Sequence, residues 1–232
     1  ERLWEVELTP EEEDEGHIGG GLAYESSRVV VTTGFAQVIA LDAATGAEIW
    51  RRDIGSPMRT PPTLRGGRVF AVTVDNKLNV LDAASGDTLW THTGIAEIAS
   101  ILGGGSPAVD AGVVVVPYSS GELVALKVEN GRVLWTDSLA AVRRTDVVST
   151  LAHIRGRPII DRGRVIAISH GGLMVAIDLR SGRRIWDKEI GGLESPWVVG
   201  NYIYVMSNEG ELICLSRDDG RVHWVQQLSR WE

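Results

Sequence analysis

The residues that could carry chemistry in this chain are few and scattered. Five histidines (His17, His92, His153, His170, His223) share no short spacing of the kind that gathers ligands on one metal ion. One cysteine, Cys214, is too few for a disulfide or a thiolate cluster. It precedes a leucine where comparable stretches carry Ala40, Val80, Ala125 and Ala176, which predicts a small buried side chain rather than a reactive thiol. Asp42, Asp82 and Asp178 recur at one place in a repeated pattern, so they are expected to cap turns spread through the fold. Gly103-Gly104-Gly105 resembles a phosphate-cradling loop only superficially, because no Lys-Ser or Lys-Thr follows, and it reads as flexible loop. A Ser-His-Asp triad is recognised by geometry, which sequence alone does not give, but no Gly-x-Ser-x-Gly elbow is present. The sequence therefore assigns no catalytic, cofactor-binding or metal-ligating residue.

What the sequence repeats is a decad. Leu41-Asp42-Ala43-Ala44-Thr45-Gly46-Ala47-Glu48-Ile49-Trp50 recurs almost letter for letter from Leu81 to Trp90. Looser copies run from Leu126 to Trp135, Ile177 to Trp186 and Leu215 to Trp224. In every copy a glycine (Gly46, Gly86, Gly131, Gly182, Gly220) stands four residues before a tryptophan (Trp50, Trp90, Trp135, Trp186, Trp224). A self-similar period of this length marks a repeat architecture. Short β-branched runs bounded by turn residues precede each decad: Arg28 to Thr33, Arg68 to Thr73, Val113 to Tyr118, Arg164 to Ser169 and Tyr202 to Ser207. Tight turns such as Asp75-Asn76, Ser120-Gly121, Gly171-Gly172 and Glu209-Gly210 separate them from a second strand. A further strand opens most units at a proline (Pro62, Pro107, Pro158, Pro196), where no ladder hydrogen bond is lost. The Asp-x-x-x-Gly segment then forms a hairpin whose far side is the Trp strand. Four short antiparallel strands per unit describe the blade of a β-propeller, an all-β fold.

Five full blades result. Leu3-Trp4-Glu5-Val6-Glu7-Leu8 reads as a Trp strand without its three preceding strands. Five blades and an orphan strand leave open edges, so the chain is expected to be one propeller domain over residues 1–232 and a piece of a larger ring. The acidic run Glu11 to Glu15 is expected to be a solvated loop. Glycine-to-glycine spacings of 40, 45, 51 and 38 residues place extra length in the connections after Trp90 and Trp135, and insertions in repeat proteins map to loops on one face. His223 precedes a motif tryptophan where other copies have Ile or Leu, which predicts a partly buried strand position. Trp197, Tyr118 and Trp231 fall outside the motif and are either interface anchors or core.

A formal net charge of −8 argues against nucleic acid or an anionic membrane surface as the main partner. No apolar run is long enough to suggest a membrane helix. No export signal opens the chain, so any such signal is expected outside these residues.

The Leu-Asp-x-x-x-Gly-x-x-x-Trp series resembles the tryptophan-docking repeat of the pyrroloquinoline-quinone (PQQ)-like propellers. Three longer strings resemble the BamB family in its alphaproteobacterial form: Gly103 to Val109, Val115 to Leu123 and Val175 to Gly182. The resemblance implies an eight-bladed periplasmic propeller, tethered to the outer membrane by a lipidated N-terminal cysteine. It implies that each motif tryptophan packs on the neighbouring blade. It also implies a non-catalytic scaffold that binds the POTRA domains of BamA and contacts nascent outer-membrane proteins. Partner-binding residues of the family lie in the two long connections, a Leu-x-Leu-Arg patch in the first and an Asp-x-Asp pair in the second. This chain departs from both patterns, leaving Ile101, Leu102, Gly103, His153 and Arg155 as contact candidates. The alternatives are a PQQ-binding quinoprotein and a periplasmic sensor or ligand-binding propeller. A quinoprotein would use an adjacent cysteine pair and a calcium site, and one cysteine does not supply the pair.

Overall fold

The computed structural model describes residues 3–8, 20–95, 105–140 and 153–228, all strand and turn. His17, the acidic run Glu11 to Glu15, Ile101, Leu102, Gly103 and Trp231 lie outside these residues. Among the described residues twenty strands make five antiparallel four-stranded sheets, each a blade whose strands pair in chain order.

The first sheet is β1 (Gly21–Glu25), β2 (Arg28–Thr32), β3 (Gln37–Asp42) and β4 (Glu48–Asp53). The second is β5 (Thr63–Arg65), β6 (Arg68–Val72), β7 (Lys77–Asp82) and β8 (Thr88–Thr93). These two form one compact unit. A second unit holds the other three sheets. Its first sheet is β9 (Ala108–Asp110), β10 (Val113–Pro117), β11 (Glu122–Lys127) and β12 (Val133–Ser138). Next come β13 (Ile159–Asp161), β14 (Arg164–Ile168), β15 (Met174–Asp178) and β16 (Arg184–Lys188). The last is β17 (Trp197–Val199), β18 (Tyr202–Met206), β19 (Glu211–Ser216) and β20 (Val222–Gln227).

The middle strands of the third and fourth sheets are buried almost throughout, which matches their continuous apolar runs. In the first unit Val30, Ala40 and Trp50 of one sheet pack on Val69, Ala71 and Leu81 of the next. In the second unit Val115, Ala125 and Trp135 meet Val165, Ala167, Val175 and Ile177. Ile166, Ala176 and Trp186 in turn meet Ile203, Val205, Ile213 and Leu215. Cys214 sits at 2% exposure in the row Trp197–Tyr204–Cys214–Trp224 across the last sheet, a buried packing position.

Every fourth strand carries a β-bulge at the residue before its tryptophan. Leu41 pairs with Glu48 and Ala40 with Trp50, leaving Ile49 unpaired; Leu89, Leu134, Ile185 and His223 occupy the same place. The bulged residue is exposed in each sheet, and His223, on a strand exposed along its whole length, is exposed rather than half-buried as its sequence context implied. Trp197 is likewise 69% exposed rather than core, whereas Tyr118 is wholly buried against Gly94.

Because each sheet is a meander, its two ends differ. The first and third turns of each sheet lie at one end, here the hairpin end. The middle turn and the connection to the next sheet lie at the other, the loop end.

Candidate partner-docking face

At the hairpin end the repeated residues are occupied with one another. Asp42 Oδ1 accepts hydrogen bonds from Ala44 N (3.1 Å), Thr45 N (2.9 Å) and Thr45 Oγ1 (2.8 Å). Asp82 accepts from Ala84 N and Ser85 N, and Asp178 from Ser181 N and Oγ. These bonds, led by the Thr45 hydroxyl for Asp42, the Ser85 amide for Asp82 and the Ser181 hydroxyl for Asp178, hold the carboxyls below their ordinary value of 3.8. Lys127 and Ser216 replace this aspartate in two copies, and there Asn130 and Asp219 cap the turn by accepting from Arg132 N (3.2 Å) and Arg221 N (3.0 Å).

The motif glycine and tryptophan meet across sheets. Trp50 Nε1 donates to Ala83 O of the next sheet at 3.0 Å, and a Cβ on Gly86 would stand 2.7 Å from its ring. Trp135 does the same with Leu179 O (2.8 Å) and Gly182, and Trp186 with Arg217 O (3.1 Å) and Gly220. Trp4, on the orphan segment, docks identically on Ala43 O (3.0 Å) and Gly46. Each of these glycines also has a positive φ, between 67° and 74° at Gly46, Gly182 and Gly220 and 75° at Gly86. Trp90 is half-buried and Gly131 shares the left-handed backbone with φ 72°. Trp224 is 43% exposed and lies beside Tyr204, ring centroids 6.0 Å apart.

Charged side chains add clamps between neighbouring sheets within each unit. Arg52 reaches Ser85 O, Gly86 O and Asp87; Arg184 reaches Asp137 and Ser138 O. Arg217, nearly buried, pairs with Asp161 at 2.7 Å and with Asp218, which also pairs with Arg164. The Asp161 hydrogen bond is the main reason the Arg217 guanidinium is held above its ordinary range.

The loop end is built differently, by backbone stitching. The residue leaving a fourth strand donates to its own sheet's middle turn: Ile54 N to Ala36 O, Leu139 N to Gly121 O, Leu228 N to Gly210 O. The connection then binds the middle turn of the sheet it enters, as in Val74 N to Pro57 O, His170 N to His153 O and Asn208 N to Gly191 O. In the second unit the three entering connections interlock. Gly105 N donates to Ile154 O at 3.0 Å, and a Cβ on Gly105 would stand 2.6 Å from Arg155 O. Gly156 is pressed as closely on the Glu194 backbone, and Arg157 N donates to Ser195 Oγ at 2.8 Å.

Of the sequence-derived contact candidates, His153 is half-buried and Arg155 exposed, next to Gly105. Gly105, read as part of a slack loop, is instead fixed by a close backbone approach. Sequence reasoning missed Arg157 and the glycine-to-glycine interlock; three consecutive glycines ahead of a strand were the only available signal. Among the described residues no three His, Cys, Asp or Glu side chains gather as a metal site.

A solved structure of BamB from Moraxella catarrhalis superposes with a TM-score of 0.83 at 26% identity, over 90% of this chain and 64% of that one. The outer membrane protein assembly factor BamB of Yersinia pestis is 27% identical over 97% of this chain and 58% of its own length. A europium-containing methanol dehydrogenase, 14% identical with a TM-score of 0.79 over 93% of this chain and 52% of that one, shares the fold alone. The chain spans a little over half the length of the curated relatives it matches. With the family model of outer membrane protein assembly factor BamB matching residues 1–226, the chain belongs to the BamB family.

Proposed function

We propose that this chain is part of a non-catalytic periplasmic scaffold, one PQQ-like propeller domain, that assists assembly of outer-membrane proteins. It docks on the POTRA domains of BamA through its loop end, and a lipid anchor carried elsewhere in the protein holds it at the outer membrane. The observation that carries this reading is the division of labour between the two ends. At the hairpin end the repeated Asp, Gly and Trp residues are spent on turn capping and sheet-to-sheet packing. At the loop end the connections are pinned through backbone atoms while Arg155 and Arg157 keep their side chains in solvent. Residues placed on a rigid frame with free side chains suit recognition. Family membership supports the assembly role.

The quinoprotein alternative has weaker support. Its dehydrogenase relative is similar in fold only, and these residues hold a single cysteine, buried in a sheet. A pull-down of the full-length protein with isolated POTRA domains of its cognate BamA tests the proposal. Saturable capture is expected. Absence of capture, together with a stoichiometric spectral shift and dye reduction on adding PQQ and calcium, would replace the scaffold by an enzyme.

A further inference from the structure

Residues 153–158 form a tightly positioned surface segment at the loop end of the second unit. His153 O accepts from His170 N, Ile154 O accepts from Gly105 N, and Arg157 N donates to Ser195 Oγ. Along the segment burial alternates: Ile154, Gly156 and Pro158 are buried, while Arg155 and Arg157 are exposed. Ile154 anchors in the core at 0% exposure, and Gly156 sits where any Cβ would strike the Glu194 carbonyl. Two guanidinium groups thus project from a backbone that has little freedom left.

Neither guanidinium has a hydrogen-bond or ion-pair partner among the described residues. Glu194, whose backbone packs on Gly156, pairs with neither. Arg184 and Arg217, by contrast, are matched to aspartates. Arg157 is more than a third accessible, and partial desolvation lowers its pKa from the ordinary value. An unpaired guanidinium on a surface gains short, charge-assisted hydrogen bonds when an anionic group approaches it. Arginine's planar fork suits carboxylates, and a pinned backbone leaves little ordering entropy to lose on binding.

From this geometry we infer that Arg155 and Arg157 form a docking point for an acidic segment of a protein partner. The inference rests on the reading that the loop end is the partner-docking face, and it adds the chemistry of the partner. The acidic character of the rest of the chain, −8 overall, disfavours a long polyanion such as nucleic acid, whose binding needs many neutralised phosphates. A short acidic stretch meets the two arginines without facing the whole field.

The test uses full-length protein and a fluorescein-labelled octaglutamate peptide, followed by anisotropy at low and at raised salt. Octaglutamate is expected to bind, with affinity falling at least tenfold in Arg155→Glu/Arg157→Glu and falling again with salt. The control Arg132→Glu/Arg180→Glu makes the same charge change on hairpin-end turns and is expected to shift affinity less than threefold. Equal weakening by both pairs, or no octaglutamate binding by the wild type, overturns the inference. POTRA binding measured in parallel separates the two claims. Unchanged POTRA affinity in Arg155→Glu/Arg157→Glu overturns the docking point and leaves the scaffold standing. Octaglutamate binding that depends on the arginines, without any POTRA binding, keeps the docking point and removes BamA as the partner.

Discussion

The indole of Trp186 lies across Gly220 of the next sheet so closely that a Cβ there would stand 2.8 Å from the ring, while its Nε1 donates to the carbonyl three residues earlier, Arg217 O. The same relation joins Trp50 to Gly86, Trp135 to Gly182 and Trp4 to Gly46. In these four pairs motif glycine and motif tryptophan are partners of each other, one repeat apart.

Two separate penalties meet at such a glycine, and they can be resolved. Gly182→Ala suffers both the positive φ and the clash with Trp135, whose nearest side-chain atom would lie 2.5 Å away. Gly163→Ala suffers the φ alone, since nothing lies within 4 Å of its Cβ position. Urea denaturation should show a loss of about 1 kcal/mol for Gly163→Ala and about 3 kcal/mol for Gly182→Ala. Equal losses would mean that the tryptophan contact contributes nothing.

Truncating the other partner should cost more. Trp186→Ala removes a side chain only 8% exposed and is expected to destabilise by about 3–5 kcal/mol. Trp186→Phe keeps most of the packing and removes one of the two donors to Arg217 O, the other being Arg164 Nη1 at 3.1 Å, a loss of roughly 0.5–1.5 kcal/mol. Chemical denaturation of both variants orders them; a Phe variant as weak as the Ala variant would contradict this apportionment.

The turn aspartates predict an acid response with a definite sign. Asp42, Asp82 and Asp178 are held below their ordinary value of 3.8 in the folded chain, so their contribution is present above that value. It is lost as pH falls below 3.8 toward their folded values. The triple variant Asp42→Asn/Asp82→Asn/Asp178→Asn should be less stable at pH 7 and flatter than wild type across this acid limb. Thermal melts between pH 2 and 7 read the difference, and parallel curves would refute it.

Arg217 and Asp161 should be coupled more strongly than an open surface pair. A double-mutant cycle with Arg217→Met and Asp161→Leu is expected to give about 1–2 kcal/mol, since Arg217 is nearly buried. The exposed i,i+3 pair Arg51–Glu48 should give less than about 0.5 kcal/mol.

How far the sequence reaches is visible in particular residues. Blade strands, turn aspartates and the buried Cys214 were legible because each follows from local periodicity or turn chemistry. The placement of His223 was not, because the whole of its strand is exposed on the last sheet, and strand exposure depends on what packs against the sheet rather than on local sequence. Trp197 begins a strand as its proline implied, yet it lies on the open face of the last sheet, which depends on what packs there. The loop end was least legible. Gly105, Gly156 and Arg157 are brought together by chain segments from three successive blades, and no repeat pattern records that meeting.

The most direct measurement of the central claim is a hydrogen-exchange footprint of the full-length protein with and without the POTRA domains of its cognate BamA. Slowed exchange in residues 153–157 and in the middle turns around His170 and Asn208, with the Asp-capped hairpin turns unchanged, is the predicted result. Protection confined to the hairpin-end turns around Asp42, Asp82 and Asp178, or no protection at any blade, would contradict it.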